Sequence, residues 1–153
     1  MKNLARILRP LAVTALAGAT LLSSAGAAVA ASPTHRGDIQ LSYVAVVRVA
    51  IGTGDQDFRV RITDPETLNA ALDNKEGRKR THIHGLVVRP KPDVNKGYHW
   101  HLDPASIGFV ESSIEVCDGS PADVEKGAVT SDYYCPWSSR VVEVWDNSGA
   151  AVR

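Results

Sequence analysis

The stretch from Tyr98 to Asp118, YHWHLDPASIGFVESSIEVCD, constrains this chain more than any other. It places two histidines, an Asp-Pro step, an apolar run and one of only two cysteines in twenty-one residues. Pro104 holds Asp103 extended, in position to cap a short turn of helix after it. The remaining unusual features lie in this stretch or can fold back onto it.

The second cysteine is Cys135, and whether it bonds to Cys117 depends on compartment. Residues 1–30 answer that question. Lys2, Arg6 and Arg9 form a basic start, Leu11–Leu22 is apolar and rich in small residues, and Ala28-Val29-Ala30 fits a cleavage site. This is the pattern of a secretory signal peptide, and the apolar run is short of the ~20 residues that span a bilayer. Export to an oxidising compartment favours a Cys117–Cys135 disulfide. A cysteine pair on a metal is the rival, but the spacing lacks the C-x-x-C form of zinc knuckles.

Cleavage changes the charge balance. Three of the 17 basic residues leave with the signal, so 14 stand against 17 acidic ones, a net charge of −3. That balance is no footprint for nucleic acid or an anionic membrane, which would need a basic surface. Residues 31–38 have no periodicity and form a loose lead-in, leaving 39–153 as one domain. The tripeptide Arg36-Gly37-Asp38 is too short a match to carry an adhesion function.

Ile39–Ile51 is rich in Val, Ile and Tyr and suits a buried strand. Gly52-Thr53-Gly54-Asp55 signals a turn, and Asp57–Thr63 alternates Phe58, Val60 and Ile62 against polar residues, so the two strands form a hairpin. Asp64-Pro65-Glu66 starts a helix by capping, fixed φ and dipole charge, with Leu68, Ala71 and Leu72 on one face. Lys75–Arg80 is a solvated charged loop. His82–Arg89 and Tyr98–Leu102 read as strands, separated by a loop set by two prolines and a glycine. Asp103–Ser106 repeats the cap-and-proline chemistry as a short turn of helix. Phe109–Cys117 reads as a strand with Val110, Ile114 and Val116 on one side. Ser120–Lys126 is a short capped helix, and Arg140–Trp145 is a closing strand with Val142 and Val144 opposed to Val141, Glu143 and Trp145. The sum is a single α+β domain with a mainly antiparallel sheet of about six strands and two or three short helices.

Two histidine pairs at i and i+2 stand out, His82 with His84 and His99 with His101, followed by Asp103. Alternate residues of a strand share a face, so pairing of these strands would converge four imidazoles and a carboxylate, a workable set for zinc or another divalent metal. Glu115 lies opposite Ile114 and Val116 in the alternation and is a candidate base at the same site. No serine has a G-x-S-x-G setting, and no glycine-rich phosphate loop is present.

The motifs Trp100-His101-Leu102-Asp103-Pro104-Ala105-Ser106, Ile114-Glu115-Val116-Cys117-Asp118 and Cys135-Pro136-Trp137-Ser138-Ser139-Arg140 carry a family resemblance. With them the chain resembles a family of small secreted bacterial proteins and the N-terminal domain of a cyclic-AMP-inducible, calmodulin-binding-related protein of Dictyostelium. The resemblance is weak from about Tyr43 and strong from His82 to Arg140. It implies no catalytic activity. His82, His101, Asp103, Cys117 and Cys135 match the family pattern, whereas His84 and His99 depart from it, which moves weight from a four-histidine metal site to His101 and Asp103. The calmodulin link does not carry over, since no basic amphipathic helix is present.

The leading expectation is therefore a secreted, disulfide-stapled binding or interaction module without a cofactor, rather than an enzyme. His82, His101, Asp103 and Glu115 are its candidate polar cluster, and its partner is a protein or small-molecule ligand. The alternatives are a small metal-dependent enzyme with His82, His84, His99 and His101 as ligands and Glu115 as base, and a purely structural extracellular protein.

Overall fold

The computed structural model describes residues 42–153 apart from position 53. The expected signal peptide and lead-in, and the start of the first strand before residue 42, lie outside the described residues. In chain order the elements are β1 (Tyr43–Ile51), β2 (Gly54–Ile62), α1 (Pro65–Lys75), β3 (His82–Val88), β4 (His101–Leu102), β5 (Gly108–Val110), α2 (Pro121–Glu125), β6 (Tyr133–Tyr134) and β7 (Ser139–Trp145), with 3-10 turns at Pro104–Ser106 and Glu115–Cys117. None of these helices is long and apolar enough to cross a membrane.

The period-two pattern of the second strand is realised as a hairpin in which Tyr43 faces Ile62 and Ile51 faces Gly54. Phe58, Val60 and Ile62 are buried. On the other face the register partners Arg48 and Asp57 make a two-pronged ion pair at 2.8 Å, which holds the Asp57 carboxyl below its ordinary pKa. β7 adds to the other side of β1, giving the order β2-β1-β7. Here the simple alternation fails. Val141 pairs with Val47 and Glu143 with Val46, so Val142 is an extra residue in a β-bulge. The bulge turns Val141 and Val144 to the same buried side and leaves Val142 half-buried.

The second sheet is built on β3. Its first three residues pair with β5, Gly85 and Leu86 with β6, and Val87 and Val88 with β4, all antiparallel. The α+β, mainly antiparallel expectation thus holds, but with seven strands in two sheets in place of about six in one. Both capped helices are present. Asp64 accepts the Thr67 amide at 2.7 Å, and Ser120 and Asp123 form a reciprocal capping box.

Two expected strands are cut short. Tyr98–Leu102 contributes only His101 and Leu102, because Trp100 leaves the sheet to fill the core. Its ring centroid lies 5.5 Å from those of Phe58, Tyr98 and Tyr134. Phe109–Cys117 ends as a strand at Val110. The chain then turns so that Cys117 reaches Cys135, whose amide donates to the Cys117 carbonyl at 2.8 Å. The turn leaves Ile114 and Val116 exposed instead of packed.

Polar side chains, buried at Asn74 and Ser139 and half-buried at Ser106, tie the two sheets, the first helix and the turn after β4 together. Ser139 of β7 accepts the amide of Ile83 in β3 at 3.2 Å. Asn74 of α1 accepts the Val141 amide at 2.8 Å and donates to the Thr81 carbonyl at 2.6 Å. Ser106 accepts the Leu86 amide and donates to the Asp103 carbonyl, both at 2.8 Å.

Candidate functional site

The structure separates the histidines that sequence periodicity would group. His82 and His84 do share a face of β3, but His101 pairs with Val88, six residues further along that strand. At about 3.3 Å per residue that is roughly 20 Å. His101 Nδ1 is bonded to the Lys91 carbonyl, and His99 is exposed and paired with Glu125. Among the described residues no group of three or more His, Cys, Asp or Glu side chains is placed to hold a metal ion. Asp103 accepts the Ala105 amide at 3.0 Å as the cap of its turn. Glu115 is exposed on the turn before Cys117. The structure therefore does not bring His82 together with His101 and Asp103, because β4 pairs with the far end of β3, and Glu115 lies apart on its own turn.

A different constellation forms around His82. β3 carries it to the start of the sheet opposite Val110, where it is 5 % exposed. The chain after β5 brings Ser113 to it, with Oγ 2.7 Å from His82 Nε2. The corner after Cys135 brings Trp137, whose indole Nε1 lies 2.8 Å from the same Oγ. An indole N–H can only donate, so Ser113 accepts from Trp137 and keeps its own hydrogen for the imidazole. Burial lowers the His82 pKa, against the opposing charge of Asp118. That favours the neutral ring, which accepts the serine hydrogen at Nε2. Asp118 in turn accepts the Trp137 amide at 2.9 Å.

This hydrogen-bonded chain lines a cleft of about 270 Å3 together with Glu111 and Ser112. Ser112 and Ser113 also line a neighbouring cleft of about 360 Å3, whose walls include Val110, Ile114, Tyr133 and the disulfide. Ser113 and Trp137 were invisible as site residues in the sequence. They lie 31 and 55 residues from His82, and no local spacing connects them. The disulfide, which compartment reasoning does anticipate, is the feature that brings their two segments together.

A disulfide-clamped α+β domain with a polar cleft beside the clamp is thus the class of protein the fold and site define. The chain belongs to the BP-74 N-terminal domain family, whose model matches residues 43–148. This family is related to the Dictyostelium domain that the sequence resembles. Comparison with curated proteins and with solved structures gives no match.

Proposed function

We propose that the chain is a secreted, disulfide-stapled binding module whose ligand docks beside the Cys117–Cys135 bond. One observation carries this reading. The exposed large hydrophobics among the described residues are Ile114, Val116, Tyr133 and Trp137, and all four lie within three positions of a disulfide cysteine. Such a concentration of apolar surface, rimmed by polar groups, is characteristic of interaction sites. The covalent clamp holds the two segments in place before a ligand arrives, which reduces the ordering cost of binding. The basic, apolar N-terminus and the net charge of −3 after cleavage support an extracellular setting and a partner other than nucleic acid. The ligand is a protein segment or small molecule presenting an apolar or aromatic group.

The reading is tested by amide NMR of the mature domain titrated with a library of apolar and aromatic peptides and fragments. Perturbed resonances should cluster in 112–117 and 131–138, and Trp137→Ala should weaken every hit. Hits that map elsewhere, or that survive Trp137→Ala and Ile114→Ser unchanged, would overturn it.

A further inference from the structure

The polar side of the same surface carries a second capability. We infer that Ser113 is a nucleophile activated by His82, able to take an acyl group from an ester. The arrangement has the geometry that covalent catalysis requires, a hydroxyl within hydrogen-bond reach of a base. Ser113 Oγ is 2.7 Å from His82 Nε2, and the pair lines a cleft open to a small ligand. The second cleft that Ser113 also lines, with Val110, Ile114 and Tyr133 in its walls, suits an apolar acyl chain.

In the step proposed, Ser113 Oγ bonds to the ester carbonyl carbon while its proton passes to His82 Nε2. Collapse of the adduct breaks the carbon–oxygen bond to the alcohol, and His82 returns the proton to that departing oxygen. Water then attacks the acyl-serine, giving its proton to His82, which restores it to Ser113. The net change is ester and water to carboxylic acid and alcohol. Asp118 supplies negative charge that favours the imidazolium formed on the way. Burial acts oppositely and keeps His82 unprotonated at neutral pH, the state a general base needs.

A fluorophosphonate probe tests this without knowledge of a natural ester, and so independently of the binding reading. The folded mature protein is incubated with the probe, digested and mapped by mass spectrometry. Modification is expected at Ser113, at least about a hundredfold faster than at the same serine in urea-unfolded chain, the lower end of general-base acceleration. The rate should fall as pH drops below the ordinary histidine range, because the base becomes protonated. His82→Gln should abolish the acceleration. If that variant does not fold, the pH profile of the wild type makes the same distinction. Labelling of Ser113 no faster than in unfolded chain, or a rate flat between pH 5 and 8, would overturn the inference and leave Ser113 a structural bridge between His82 and Trp137.

Discussion

Asn95 holds Trp100 in the core: its side-chain amide donates to the Trp100 carbonyl at 2.9 Å, while its Oδ1 accepts the Arg59 amide at 3.0 Å. Both Asn95 and Trp100 are fully buried. One side chain thus satisfies the backbone where the chain leaves the sheet and anchors the 90–97 loop to β2. Asn95→Ala would leave the half-buried Arg59 N–H and the buried Trp100 C=O without partners. We expect a loss of about 2–4 kcal/mol, read from urea unfolding, from two such groups at roughly 1–3 kcal/mol each, partly relieved by relaxation. A loss under half that range would mean the loop is held by other contacts.

Gly108 is required by His84. A Cβ at this position would sit 2.5 Å from His84 Nε2 and 3.1 Å from its Cδ2. Gly108→Ala must therefore move a half-buried ring, with an expected cost of about 1–3 kcal/mol. Gly52, with nothing within 4 Å of its Cβ position, is the control, and Ala there should change stability by no more than about 0.5 kcal/mol. Equal melting temperatures for the two variants would refute the packing argument.

Asp103 acts as the cap of its turn, its Oδ1 accepting the Ala105 amide at 3.0 Å. Asp103→Ala should lower stability by about 1 kcal/mol, while a chelator leaves the wild-type melting temperature unchanged. A large chelator-induced drop, restored by one divalent metal, would instead revive a metal role for Asp103 and His101.

The disulfide closes an 18-residue separation. Free-thiol labelling of unreduced, unfolded protein should find no reactive cysteine. Reduction should cost roughly 3 kcal/mol on the chain-entropy model. A melting temperature insensitive to reduction would show that the packing of Ser112–Cys117 against Tyr133–Trp137 suffices without the bond.

Stability should also fall in mild acid. Burial lowers the pKa of both His82 and His84 from the ordinary value near 6.5. The unfolded chain therefore binds more protons just below that pH, and stability present above it is lost as pH falls through the window beneath. The hydrogen bond from Arg48 holds the Asp57 carboxyl below the ordinary carboxylate range, itself well below that of histidine, so the two effects separate. The melting temperature measured from pH 8 to 5 should decline below about 6.5, and His82→Gln should remove part of that decline. A profile in His82→Gln identical to the wild type would assign the effect to His84 alone.

Features that depend on near neighbours in the chain are legible without coordinates. Asp64-Pro65 and Ser120-Pro121 set helix starts because a cap needs only residues two or three positions away. The alternation of Phe58, Val60 and Ile62 set the inner face of β2 because a strand's period is local. Composition and compartment anticipated the Cys117–Cys135 pair. The rest depends on how remote segments pack. The bulge at Val142 reverses the face of Val141, and bulges arise from the partner strand's register, which no one strand encodes. The slide of β4 along β3 keeps His101 from His82, although the two i, i+2 pairs, His82 with His84 and His99 with His101, suggest one site. Ser113 and Trp137 meet His82 only because three segments are closed together by the disulfide and the two-sheet core. Side-chain chemistry is written residue by residue, but a site is a set of distances between remote segments, and those are fixed only when the core packs.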